Sequence, residues 1–211
     1  MDEERVVHVR GTPCSGKTVL AHLLWEHYEK RREPVVFLDG WCNVGDTRAH
    51  LIDRCEAKGY FGIRPFNLIQ ANVVFILDEA QQSYYDQTLW ISLIKTQSGM
   101  IGGSKFCLFS SYGSPAAGPP QYARGTPIIF GPQQRISITA SRFAQDEDLY
   151  LFYNPEEFED VVNRICLSPD RKFTLDPAAR EYLYSMTNGH PGATDALVKF
   201  IFDVCISCSI Y

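Results

Sequence analysis

Apolar residues recur along this chain in two rhythms. Short β-branched or aromatic runs, "VVHVR" at 6–10, "PVVFLD" at 34–39, "NVVFILDEA" at 72–80 and "KFCLFSS" at 105–111, have the length and character of strands buried on both faces. Between them lie stretches with helical spacing. Residues 16–32 predict a helix with Val19, Leu20, Leu23, Leu24 and His27 on one face, stopped by Pro34. Residues 46–58 and "QTLWISLIKTQ" predict two more. A Gly-, Ser- and Pro-rich loop at 112–127 precedes two further strand candidates, "PIIFG" and "QRISIT".

Beyond residue 146 strand patterns cease. "NPEEFEDVVNRICL" opens with Asn154 as an N-cap candidate, Pro155 at the first helical position and acids in the first turn. "TLDPAAREYLYSMT" and "GATDALVKFIFDVCI" predict two further helices. The expected organisation is an α/β core over 1–140 and a small helical lid over 141–211. Strands alternating with helices imply a mostly parallel sheet with right-handed crossovers, covered on both faces in three layers. Ligands in such sheets bind beyond the carboxyl ends of the strands.

The first such end carries "GTPCSGKT", a full G-x-x-x-x-G-K-[ST] phosphate loop formed by Gly11, Thr12, Pro13, Cys14, Ser15, Gly16, Lys17 and Thr18. The glycines let the backbone turn and bring N–H groups around phosphates, and the following helix, through Val19, points its positive end at them. Lys17 is placed to reach the β- and γ-phosphates, and the Thr18 hydroxyl to ligate magnesium. The third strand delivers Asp78 and Glu79. Asp78 is the expected Mg²⁺ partner, in the manner of a Walker B aspartate, and Glu79 the expected base for the attacking water. Adjacent acids after a strand also suit a helix N-terminus, which is the plainer alternative.

A third strand end brings Ser110 and Ser111, whose hydroxyls could orient the water or sense the γ-phosphate; closing a turn is the other reading. Arg124, Arg135 and Arg142 are candidates to meet transition-state charge, with Arg135 and Arg124 first.

Composition narrows the functions. A net charge of −5 argues against a strong electrostatic nucleic-acid binder, and Lys30-Arg31-Arg32 reads as the solvated end of a helix. No run reaches the about 18 apolar residues of a membrane span. The acidic start "MDEERVVHVR" does not read as a leader, so the chain is expected inside the cell, in cytoplasm or nucleus. Seven scattered cysteines suit reduced thiols, and Cys205 with Cys208 on an apolar helix reads as buried rather than zinc-binding.

Taken together, "GTPCSGKT", "FILDEAQ", the polar strand end "FSS" and "NGHPGA" resemble the AAA+/STAND branch of P-loop ATPases, of the additional-strand type. In STAND proteins a G-x-P motif touches the nucleotide, and Gly189-His190-Pro191 matches it here, which implies nucleotide contacts from His190 and Pro191. The same tetrapeptide also reads as a break between two helices. More narrowly, "DEAQQSYYDQTLW", "LFSSYGSP" and "PQQRISIT" resemble NTPase modules of fungal and oomycete Crinkler-type proteins, some of them secreted or nuclear effectors. The resemblance implies ATP and Mg²⁺ as ligands, hydrolysis as a conformational switch, and self-association or a partner protein. It departs at the start, where only five residues precede the first strand and the adenine-contacting segment of typical STAND proteins is expected to be lacking.

Three other classes compete. A nucleotide-gated binding module without turnover would use the same residues. "DEAQ" suggests a helicase, but such enzymes need a second RecA-like domain and an arginine-rich motif. A small-molecule kinase is disfavoured by paired acids that suit water as acceptor.

Overall fold

The computed structural model describes residues 4–42, 44–111, 128, 130–138, 151–169 and 172–208. Strands β1 (Val6–Arg10), β2 (Val35–Leu38), β3 (Val74–Leu77), β4 (Lys105–Ser110) and β5 (Arg135–Ser137) form one sheet in the order β2-β3-β4-β1-β5. Every pairing is parallel, in registers such as Val36↔Phe75, Phe75↔Phe106, Val9↔Phe109 and Val9↔Ile136. Parallel strands buried on both faces need apolar residues at every position rather than alternate ones, and β3 is buried throughout.

The two faces are covered by different helices. One presents Val6, Val36, Leu38, Phe75, Leu77, Phe106 and Leu108. They pack with Leu51, Ile52 and Cys55 of α2 (Thr47–Ala57) and with Leu89, Trp90, Leu93 and Ile94. Asp46 caps α2, its carboxylate accepting from Arg48 N and Ala49 N at 2.9 and 3.0 Å. The other face meets α1 (Lys17–Lys30), where His22 stacks on Phe37 with centroids 4.4 Å apart. Helix, sheet and helix make three layers.

Three expectations need correction here. The buried stripe of α1 is Lys17, Ala21 and Tyr28, while Val19 and Leu23 are 62% and 56% exposed and His27 is exposed too. Small Ala21 is fully buried on this stripe, and the bulkier Val19 and Leu23 lie outside it. The helix expected from "QTLWISLIKTQ" exists, but Thr88–Ile94 winds as a π-helix before α3 (Lys95–Gln97). Pro127 and Ile129 of "PIIFG" lie outside the described residues; Ile128, Phe130 and Gly131 are not in a strand, yet Phe130 is buried in the core.

The chain divides into two compact units, one of residues 1–11 and 17–137, the other of 12–16 and 138–211. The second contains α4 (Pro155–Cys166), α5 (Pro177–Thr187) and α6 (Pro191–Cys208). Asn154 and Glu157 form a reciprocal capping box at α4, with both bonds at 2.9 Å. Its spacing buries Phe158, Val162 and Cys166 against Leu183 and Val198. α5 ends at Asn188 and Gly189 with φ of 47° and 73°, and α6 begins at Pro191. The apolar stripe of α6 does not reach Cys205, which is exposed, contrary to the expected burial. The side chain of Cys208 lies outside the described residues.

Among the described residues no helix is long and apolar enough to cross a membrane. β4 lies between the strand that enters the phosphate loop and the strand that ends in Asp78-Glu79. This is a three-layer α/β P-loop NTPase fold of the additional-strand type.

Candidate functional site

In the first unit, β1, β3, β4 and β5 all run the same way, so Gly11, Asp78 and Ser111 follow one edge of the sheet. At β1, Gly11 N donates to Ser110 O at 3.3 Å. Lys17 opens α1 and is buried, whereas Thr18 and Val19 are exposed.

At β3, Asp78 is only 5% exposed, its amide held by Leu38 O at 2.9 Å. Its Oδ1 is buried without a hydrogen-bond partner. A buried carboxylate oxygen left open is costly in a finished fold and reads as a group awaiting a cation or a donor. Glu79 follows with φ 51° and ψ 39°, a left-handed conformation uncommon for a residue with a side chain. Its carboxylate accepts from Gln81 Nε2, and Gln81 Oε1 accepts the Ser111 N–H at 3.1 Å.

Ser110 and Ser111 point to different partners. Ser110 is fully buried, and its Oγ shares a 2.7 Å hydrogen bond with His8 Nε2. His8 is 2% exposed, between the rings of Phe130 and Trp90 at 5.2 and 6.3 Å. Burial, with the charges of Arg10 and Arg135 adding to it, lowers its pKa to about 4, so it is neutral at physiological pH. Ser111 is half-buried. Arg135 is exposed at the start of β5; Arg124 and Arg142 lie outside the described residues.

In the second unit the loop residues are held by the start of α6. Ser15 is fully buried with its Oγ unpartnered, while Thr12, Pro13 and Cys14 are exposed. Cys14 and Gly16 have φ of 58° and 94°. Gly192 N donates to Cys14 O at 3.1 Å, and a Cβ on Gly192 would lie 2.3 Å from that of Cys14, so only glycine admits this approach. His190 Nδ1 accepts the Ala193 N–H at 3.1 Å, which places the ring proton on Nε2. Nε2 then donates to Thr12 Oγ1 at 2.9 Å. Pro191 opens the helix one residue on.

The residues that would hold magnesium are Asp78 and Thr18. No cluster of three His, Cys, Asp or Glu side chains forms a metal site among the described residues. That donor set fits Mg²⁺, which takes one or two protein oxygens and fills its shell with phosphate and water. The open Oδ1 of Asp78 supports the fit.

Sequence reasoning missed Gln81 and His8. Each carried a weak signal: a polar residue just past paired acids, and a polar residue inside an apolar strand.

No protein-family model matches this chain, and no curated protein does. Among solved structures it is similar to one variant of Thermotoga maritima RuvB, at TM-score 0.47 and 16% identity, covering 97% of this chain and 56% of that one. A second similar structure, another Thermotoga maritima RuvB mutant, has TM-score 0.45 and 18% identity with the same coverage. The chain therefore spans little more than half the length of the structures it matches.

Proposed function

We propose that this chain binds ATP with magnesium and hydrolyses it, using the cycle as a conformational switch of the STAND/AAA+ type. The observation that carries the reading is Asp78, a buried acid with an open oxygen, followed by Glu79 at the strand end next to β4. The loop amides of 12–16 and Lys17 would hold the phosphates. Bound magnesium would neutralise phosphate oxygens, held by Asp78 and Thr18. Glu79 would take the proton of the attacking water, and Ser111 would lie beside it at the next strand end. Arg135 and Arg124 are the arginines assigned to transition-state charge, from the same chain or a second copy.

The switch reading is supported inside the second unit. Thr12 and Cys14, two residues of the phosphate loop, are bonded to His190 and Gly192 at the head of α6. A ligand that reshapes the loop must act on that helix. The same bonds favour a second reading, a nucleotide-gated binding module without turnover, in a larger Crinkler-type protein.

Phosphate release from Mg-ATP, measured over a series of protein concentrations with Glu79→Gln beside the parent, separates the two. Turnover lost in the variant supports the ATPase. Tight Mg-ATP binding with no turnover at any concentration leaves the binding module.

A further inference from the structure

We infer that Gln81 is a positioning residue that sets the carboxylate of Glu79 against the end of β4. The inference rests on the reading of Glu79 as the base.

The amide of Gln81 uses its two ends in opposite senses. Its Nε2 donates to Glu79 Oε2, and its Oε1 accepts from the backbone N–H of Ser111 at 3.1 Å. Turning the amide over would set oxygen against carboxylate and NH₂ against N–H, so one orientation alone satisfies both partners. The turn that allows this is itself well bonded. Ala80–Ser83 forms a single 3₁₀ turn, with Gln82 N donating to Glu79 O at 2.9 Å and Ser83 Oγ to Ala80 O at 2.7 Å. Trp90 Nε1 holds Ser83 in turn, at 2.9 Å to its carbonyl and 3.0 Å to its hydroxyl.

Glu79 needs such a support. It is half-buried, on a long side chain, and its backbone adopts the left-handed region. A carboxylate so placed has several rotamers of similar energy, and a misplacement of about 1 Å can slow a reaction a hundredfold. Gln81 selects one rotamer and references it to Ser111, the residue that follows β4. Because β4 is the strand between β1 and β3, the amide ties the acidic strand end to its neighbour across the sheet edge. Gln81 touches no reacting atom in this role; it acts through Glu79.

The test is a double-mutant cycle on phosphate release from Mg-ATP under single-turnover conditions, with Mg-ATP affinity and melting temperature measured alongside. Gln81→Met keeps the side-chain length without either bond, and Gln81→Glu replaces the donor with a second carboxylate. Gln81→Met is expected to lower the rate about tenfold with affinity held within about twofold, and Gln81→Glu to lower it further. In a Glu79→Gln background, Gln81→Met should change the residual rate less than about twofold, because the group it positions is gone. An equal loss in both backgrounds, or a loss of melting temperature alone, overturns the positioning role and leaves Glu79 as base. A Glu79→Gln variant as fast as the parent overturns the base itself, and the role of Gln81 with it.

Discussion

Asp78 and Asp86 are both buried acids on the same segment, 5% and 8% exposed, yet they are finished differently. Asp86 Oδ2 accepts from Trp41 Nε1 at 2.9 Å and Thr47 Oγ1 at 2.6 Å, and its Oδ1 accepts from Leu89 N at 2.9 Å. It joins the segment after β2, the start of α2 and the π-helix, and its charge is spread over three donors. Asp78 keeps one oxygen with no partner at all. A saturated buried carboxylate serves the fold, whereas one left open at a strand end, one strand away from the strand that enters the glycine loop, is the one proposed above for chemistry. The contrast separates two acids that look alike in a sequence.

The sharpest way to break this contrast is to exchange the phenotypes. Glu79→Gln should lower turnover by about a thousandfold and Asp78→Asn by at least about a hundredfold, read as phosphate release. Neither should lower the melting temperature, and neutralising a buried acid with one open oxygen should hold or raise it. Asp86→Ala should do the reverse. It strands three donors and should cost about 3 kcal/mol in urea unfolding, with turnover per folded molecule retained. Turnover lost in Asp86→Ala at full folding would erase the distinction.

His8 sharpens the comparison with pH. Its folded pKa of about 4 lies below the ordinary 6.5, so acid protonates the unfolded chain first. Stability present above about pH 6.5 should therefore erode toward pH 4, by up to about 3 kcal/mol from this residue alone. Comparing urea unfolding at pH 7 and pH 4.5 for the parent and His8→Gln isolates its share, which the variant should lack.

Substitutions at the head of α6 should have smaller effects. Gly192→Val places a side chain inside the contact with Cys14 and should cost about 2 kcal/mol of thermal stability. His190→Ala removes the bond to Ala193 N and that to Thr12, for about 1 kcal/mol. Mg-ATP binding to these two variants tests whether the loop feels the loss.

Much of this is legible in the sequence, for local reasons. Strands β1 to β4 are visible because a buried parallel sheet asks for apolar runs, β5 only as the short alternating "QRISIT", and the cap of α4 because Asn154, Pro155 and Glu157 act within a few residues of one another. The phosphate loop and the acids of β3 are visible as contiguous motifs. What stays hidden depends on distance. The partners of Gln81 and His8, Ser111 and Ser110, lie 30 and 102 residues along the chain. The face of α1 is misjudged because Lys17 and Ala21, neither a large apolar residue, take the buried stripe. Nothing in "QTLWISLI" distinguishes a π-helical winding from an α-helical one, since both bury Leu89, Trp90, Leu93 and Ile94.

The bond from Gly192 N to Cys14 O carries a consequence for how the second unit breathes. Two segments 178 residues apart share a hydrogen bond, so opening either one breaks it. Amide hydrogens of loop 12–16 and of the first turn of α6 should exchange with solvent as one cooperative patch. A nucleotide that slows exchange in the loop should slow it to the same degree at Gly192 and Ala193, far along the chain from any residue of the phosphate motif.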